Sequence, residues 1–504
     1  MTNTVRAAHE PKESDTAVRR RRSAPALASV AALARGTGES LVEQIVHTVQ
    51  VRIADKLLRA GARMPSIRQF AESHGVSRFT VVEAYDRLVA QGVLESRRGS
   101  GFFVRELAPL QRVRPKAQTG NERQQTLDVV WLVRNMFRQN PPEQMPGTGV
   151  LPNTWLDGDL ITNALRAVSR QSGNLLLQYG TPQGFLPLRQ QLQLKLAELE
   201  IAATPEQLVT TAGVTQGLDL VARHFLQPGD TVFVDDPAWF HMFGLLFTLG
   251  AKVIGIQRMA DGPDIAQLQE LAALHKPKLY VTNSVLHNPT STSLSAAKAF
   301  QVLKIAEQHD FHIVEDDIYC DMHPGSAVQP ATRIAALDQL QRVIYLGGFS
   351  KTLAANLRVG FIAATPELAT RLADRKMLDS LTTPEIGERV VYKILSEGHY
   401  RKHVDRLRAR LDAVRDRTVR QLERIGMRID IAAPAGMFLW ADAGCDTNML
   451  AEAGMAQGIL LAPGCLFSPN QLPSTRTRIN IGAMSDPAVL KFLEREVNRL
   501  SGKR

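Results

Sequence analysis

The residues with the most chemical promise lie between Tyr345 and Gly360. Val343 to Leu346 reads as a short buried strand, Gly347 and Gly348 let the backbone turn, and Lys351 follows with no neighbouring cation. A lysine in a dry, confined place can lose its proton and attack an aldehyde, which is the chemistry of Schiff-base formation. Ser350, through its hydroxyl, and Arg358, through its forked cation, would then serve a phosphate on the same molecule. On composition alone a lysine in a polar turn is more often a surface residue, so the case rests on what the chain places beside it.

Pyridoxal phosphate is the aldehyde that joins these requirements, and its other groups can be sought in turn. Its phosphate wants backbone donors at a helix start, and Ala212-Gly213-Val214-Thr215-Gln216-Gly217 supplies a strand end, a glycine and a helix N-terminus. Its pyridine nitrogen wants a carboxylate that keeps it protonated. Glu315-Asp316-Asp317-Ile318-Tyr319, at a strand end, offers Asp316, favoured over Asp317 by its spacing from the tyrosine, with Tyr319 as a donor to the ring oxygen. Taken alone, such an acidic cluster reads as a solvated turn.

The run Gly348-Phe349-Ser350-Lys351-Thr352-Leu353-Ala354 with Leu357-Arg358-Val359-Gly360 resembles the cofactor-lysine segment of fold-type I aminotransferases, in the version found in MocR-type members of the GntR regulators. Gly348 stands where relatives usually carry Ser or Thr. The resemblance implies that Trp239, in Asp236-Pro237-Ala238-Trp239, stacks on the ring. It implies that Asn288, in His287-Asn288-Pro289-Thr290, donates to the ring oxygen, although Ser291 replaces the usual glycine. Arg478 corresponds to the arginine that forks onto a substrate carboxylate, with Arg476 as its nearest competitor. Tyr179 corresponds to the tyrosine that reaches the phosphate of a neighbouring subunit, which implies a homodimer.

Elements able to position these residues alternate beyond Leu151. Strand-like runs at Leu208–Thr211, Thr231–Val234, Lys252–Ile256, Leu279–Thr282, His312–Glu315, Val343–Leu346 and Phe361–Ala364 are separated by helical stretches such as Val214–Leu226 and Ala296–Gln308. That alternation predicts an α/β domain with a mainly parallel sheet covered on both faces, whose ligands bind beyond the carboxyl ends of the strands. A long charged helix from His399 to Ile425 leads to a small α+β subdomain with strands near Met437–Trp440 and Arg478–Ile481. The expected bounds are 126–504 for the whole domain, about 150–390 for the large sheet and about 400–500 for the subdomain.

The N-terminal quarter has a different character. Residues 1–120 hold 20 Lys/Arg against 11 Asp/Glu, a net of +9 out of +10 for the chain, so a polyanion partner is expected at that end. Residues 1–40, with the tract Arg19–Arg22, cannot bury enough apolar surface to fold and read as a disordered basic arm. Leu41, Ile45, Val49, Ile53 and Leu57 recur at spacings of four and predict a helix ended by Gly61. Pro65-Ser66 starts a second helix, and Ser77 caps a third after the Gly75 turn. Two short strands between Leu94 and Val104 then flank Arg98-Gly99-Ser100-Gly101 as a wing. Over residues 41–104 this pattern resembles GntR-type winged helix-turn-helix domains, which implies that Arg68, Ser77, Arg78 and Thr80 face double-stranded DNA and that Arg98 and Gly99 approach the minor groove. Residues 105–125 read as a linker with a reach on the order of 70 Å at about 3.3 Å per residue.

The 504 residues, 44% of them hydrophobic, can bury large cores. Cys320, Cys445 and Cys465 are widely spaced, form no CxxC pair and read as reduced thiols, and no metal site is indicated. The basic N-terminus lacks the apolar core of a secretory signal, and no apolar run approaches the roughly 18 residues of a membrane span. A cytoplasmic protein is expected. The sequence therefore predicts a multidomain, pyridoxal-phosphate-dependent DNA-binding regulator that senses an amino compound through an aldimine at Lys351. Its alternatives are an active aminotransferase with an accessory DNA-binding domain, and a DNA-binding protein whose second domain has lost its cofactor and only dimerises.

Overall fold

A computed structural model of the chain describes residues 39–105, 129–136, 141–171, 177–325, 331–430 and 434–502. The expected basic arm and linker fall almost entirely outside these residues. The chain divides into two compact units, Met1–Glu122 and Arg123–Arg504.

In the first unit, helix α1 (Leu41–Ala54) starts at Ser40, whose side chain accepts from the Glu43 amide in a capping box. Its buried face is Val42, Ile45, Val46 and Val49 rather than the expected every-fourth stripe, and Leu57 lies beyond its end and is exposed. Steps of four drift by about 40° each on a helix of 3.6 residues per turn, so a core-facing stripe must alternate threes and fours. Helix α2 (Ile67–His74) has a capping box between Ser66 and Gln69 and ends at Gly75, in the left-handed conformation at φ +65°. Ser77 caps helix α3 (Arg78–Ala90), which buries Val81, Ala84, Tyr85 and Leu88 against α1 and α2. Strands β1 (Leu94–Arg97) and β2 (Gly101–Val104) pair antiparallel as the wing.

The second unit runs α4 (Val129–Met136), α5 (Gly158–Gln171), α6 (Leu186–Ala197), β3 (Leu208–Thr211), α7 (Val214–Phe225), β4 (Thr231–Asp236), α8 (Phe240–Thr248), β5 (Lys252–Met259) and β6 (Gly262–Pro263). It continues through α9 (Ile265–His275), β7 (Leu279–Thr282), α10 (Ala296–Gln308), β8 (His312–Asp316), α11 (Ile334–Asp338), β9 (Val343–Gly348) and β10 (Gly360–Ala363). Then come α12 (Pro366–Ser380), α13 (Glu385–Ser396), α14 (His399–Arg424), β11 (Phe438–Asp442), α15 (Thr447–Met455), β12 (Ala462–Pro463), β13 (Arg476–Asn480) and α16 (Pro487–Leu500).

The large sheet has the order β3-β10-β9-β8-β7-β4-β5-β6. Its centre, β9-β8-β7-β4-β5, is parallel. Strands β3, β7, β9 and β10 are buried along their whole length, as sheets covered on both faces require. Strand β10 departs from the parallel rule and pairs antiparallel with both β9 and β3. The reason is its connection: β9 reaches β10 through a loop without a crossover helix, and only an antiparallel neighbour can be reached that way. That loop carries Lys351. The small antiparallel sheet β11-β13-β12 follows the long helix α14. Among the described residues no helix is long and apolar enough to cross a membrane.

Candidate functional site

The carboxyl ends of the central strands converge on a cleft of about 420 Å³. Val214 and Thr215 reach it from the start of α7, Trp239 from the turn after β4, and Asn288 from the loop after β7. Asp316 and Tyr319 come from the end of β8, and Ser350, Lys351 and Arg358 from the β9–β10 loop.

Lys351 is half-buried, and its amine donates to the carbonyl of Gly149 at 2.9 Å. Enclosure by protein, with the Arg478 guanidinium beside it, pushes the ammonium down to about 8, against a smaller opposing pull from Asp316. The next residue is tied down from behind. The Thr352 hydroxyl bonds the Tyr400 hydroxyl at 2.7 Å, its carbonyl meets His403 Nε2 at 2.6 Å, and Tyr400 donates to Asp321, which also pairs with Lys195.

Burial pushes the Asp316 carboxyl up to about 6, while the Ile318 amide donates to its Oδ1 at 3.1 Å and holds it in the cleft. Asp317 points elsewhere: it pairs with Arg333 at 2.5 Å and accepts from the Tyr345 hydroxyl at 2.8 Å. Asn283 donates to the Asp316 carbonyl at 2.5 Å.

Across the cleft, Asn288 donates to the Tyr319 hydroxyl at 3.2 Å and accepts from Arg478 Nη1 at 3.0 Å. Arg478 is 1% exposed on β13. Its Nη2 donates to the Gly147 carbonyl at 2.7 Å, and its Cζ lies 4.5 Å from the centre of the Phe438 ring and 5.0 Å from that of Phe467. Its Nε has no hydrogen-bond partner among the described residues, and no carboxylate there forms an ion pair with it. Burial pushes this cation down to about 10. Arg476, two residues earlier, instead pairs with Asp430 near the surface.

The other end of the cleft gathers groups able to hold an anion. Gly213 sits at φ +79° as the residue before α7, so the first amides of that helix have no carbonyl of their own turn to bond. A Cβ at Gly213 would come within 2.5 Å of Arg358 Nη2, so only glycine lets the guanidinium lie against this backbone. Arg358 donates to the Ala212 carbonyl at 2.7 Å and to Ser350 Oγ at 3.4 Å.

The two departures from the expected motifs have local explanations. A Cβ at Gly348 would meet Ile318 Cδ1 at 3.0 Å and the Val359 carbonyl oxygen at 3.2 Å, so this chain fills with Ile318 the space a serine would need. Ser291 adopts the left-handed φ of +55° that a glycine would take, and its hydroxyl donates to the Phe438 carbonyl at 3.0 Å.

Tyr179 stands apart from the cleft of its own chain and is 80% exposed. Asn283, Ile318, Gly147 and Gly149 join the site without having been expected. Gly147 and Gly149 lie far from the other motifs in sequence, and no side chain marks their carbonyls. Asn283, one residue past β7, is the one whose type could have signalled a polar contact.

In the first unit, Arg78, Arg98 and Gly99 are exposed and Thr80 is partly so. Arg68 is exposed and pairs with Glu72 at 2.8 Å. Ser77 spends its hydroxyl on the α3 cap, accepting from the Thr80 amide at 3.0 Å.

Residues 148–495 match the family described as aminotransferase class I and II, and residues 41–104 match the bacterial regulatory proteins of the gntR family. The HTH-type transcriptional regulator TauR of Rhodobacter capsulatus is 29% identical over 463 residues, covering 86% of this chain and 91% of the relative. Aromatic-amino-acid aminotransferase 1 of Thermococcus litoralis is 30% identical over 349 residues, covering 67% of this chain and 83% of the relative. The solved structure of Pyrococcus horikoshii kynurenine aminotransferase, in complex with PMP, superposes with a TM-score of 0.67 at 25% identity, covering 74% of this chain and 94% of that one.

Proposed function

The chain belongs to the class I and II aminotransferase family and carries a gntR-type domain ahead of it, the architecture of MocR-type regulators, and from this premise we propose a transcription regulator that holds pyridoxal 5'-phosphate on Lys351 and responds to a small amino compound. Aminotransferases of this fold depend on that cofactor, and the gntR-type domain implies binding to DNA.

The donor set fits the cofactor. The amides of Val214 and Thr215, the Ser350 hydroxyl and the Arg358 guanidinium suit a phosphate, and Trp239 offers a ring face. Asn288 and Tyr319 suit a phenolate oxygen, and Asp316 suits a ring nitrogen that must keep its proton. Bound there, the cofactor supplies an aldehyde that exchanges amines and a ring that withdraws electrons.

What the chain itself does follows from its residues. With its ammonium pushed down to about 8, Lys351 has roughly a tenth of its amine free at pH 7, ready to attack or to be displaced. Arg478 holds the carboxylate of an incoming amino compound. Asp316, mostly ionised at neutral pH, keeps the proton on the ring nitrogen. The observation that carries this reading is Arg478 itself: a buried guanidinium without a carboxylate partner among the described residues, set beside the amine of Lys351. Release of that amine and capture of the carboxylate then favour a conformer whose operator affinity differs. We place the protein in the cytoplasm as a homodimer, with Tyr179 reaching the partner's phosphate site and the paired winged helices reading a two-part operator.

Replacing Lys351 with Ala in the full chain tests this. The variant is expected to lack the cofactor's visible absorbance and to bind operator DNA with an affinity that no amino compound changes. Effector-dependent binding by that variant would refute the reading. The free-base fraction of Lys351 also suits a general base, so active transamination is the second reading. Steady formation of keto acid from an amino acid and 2-oxoglutarate would favour it.

A further inference from the structure

We propose that the ring of Phe79 reads the 5-methyl group of a thymine in the operator's major groove, making it a specificity residue of the DNA reader. The inference rests on the reading above, with α3 as the helix that enters the groove. Phe79 is the second residue of α3 and is 75% exposed, a costly place for a phenyl ring in water. The helix turns its core stripe of Val81, Ala84, Tyr85 and Leu88 inward. Phe79 lies two residues, or about 200° of helical rotation, from Val81 and so projects from the opposite side.

The surroundings narrow its role. Along the outer face of α3 a shallow groove joins Phe79 to Val82, Glu83, Asp86, Arg87 and Ala90. Glu83 and Arg87 answer one another there at 2.8 Å. The outermost apolar group is thus at the N-terminal end, where recognition helices meet base edges. The flanking hydroxyls are occupied with each other: Ser77 Oγ and Thr80 Oγ1 lie 2.7 Å apart and hold the cap. A phenyl ring cannot hydrogen-bond to a base. The one apolar feature that the four bases present in the major groove is the thymine methyl.

The test uses the full-length chain and a duplex that it selects from a random DNA library. Each dT of that duplex is replaced in turn, symmetrically in both half-sites, by dU, which removes only the methyl. Burying one methyl is worth about fourfold in affinity, so one symmetric pair of replacements is expected to weaken binding roughly 15-fold. Phe79→Ala, an exposed change to the best helix former, is expected to bind the dT and dU duplexes equally. It is also expected to keep the wild-type slope of affinity against salt, because no phosphate contact is lost. Indifference of the wild type to every dU, or a dT preference that survives in Phe79→Ala, would overturn the proposal while leaving the DNA reader intact. Selection of no duplex at all would overturn both.

Discussion

Arg478 and Asn288 share a hydrogen bond, the guanidinium donating to the amide oxygen at 3.0 Å. That bond orients the amide so that its nitrogen faces the Tyr319 hydroxyl. The group suited to a substrate carboxylate is therefore wired to the group suited to the cofactor's ring oxygen, and a ligand that draws Arg478 changes the electrostatics at the ring.

Arg478→Lys cannot reproduce the fork to Gly147 and Asn288. Amino compounds that carry a carboxylate are expected to bind about 30- to 100-fold more weakly, or about 2–3 kcal/mol. Amines without a carboxylate are expected to be unaffected. Spectral titration of the cofactor band with matched pairs of compounds measures the difference.

On the proposed function, capture of pyridoxal phosphate by the cofactor-free protein depends on the unprotonated Lys351 amine. Its rate is expected to rise about tenfold per pH unit toward pH 8 and then level, since the ammonium sits near 8. Arg478→Met removes a neighbouring cation that helps to depress it, so the plateau is expected to move to higher pH. Stopped-flow absorbance between pH 6 and 10 follows both curves.

Asp316 is raised in the folded protein to about 6 from 3.8, so folding takes up a proton between those values. Its favourable contribution is complete below about pH 4 and is lost as pH rises through 6. Relative to wild type, Asp316→Asn is therefore expected to gain about 2 kcal/mol in stability between pH 4 and pH 7 without cofactor. Urea unfolding of both proteins at the two pH values gives the comparison, in which changes common to Glu315 and Asp317 cancel.

Gly348→Ser restores the usual residue but drives its Cβ toward Ile318 Cδ1 at 3.0 Å. We expect a loss of about 1–2 kcal/mol from overpacking. Ile318→Val removes that carbon, and the double variant is expected to recover most of the loss. A double-mutant cycle in thermal unfolding reads the coupling.

In the winged helix, Glu72 pairs with Arg68 at 2.8 Å and, with Arg68 facing DNA as proposed, would compete with phosphates for it. Glu72→Ala is expected to tighten operator binding several-fold at low salt and to steepen its salt dependence. Fluorescence anisotropy over a salt series measures both.

Much of this architecture was legible from local signals. Ser66 and Ser77 announce their helices, and Gly75 ends one, because caps are short-range chemistry. The strand runs stood out because both faces of the sheet are covered and their residues are continuously apolar. What stayed hidden depends on tertiary geometry. Leu57 has the right type for the stripe of α1, yet the helix ends first. The antiparallel sense of β10 follows from a connection whose shape no residue type marks. Asp316 and Asp317 are chemically alike, and only Arg333 and Tyr345, brought in from elsewhere, draw the second away from the cleft.

Gly147 and Gly149 belong to a stretch of backbone stitched to both parts of the second unit: Gly147 takes the Leu460 carbonyl, Pro146 receives the Asn480 amide, and Gly149 receives the lysine amine. This stretch follows α4 and lies on the covalent path from the wing. Because these bonds join the small subdomain to the loop of Lys351, a shift of one against the other would move the carbonyl that the amine now meets.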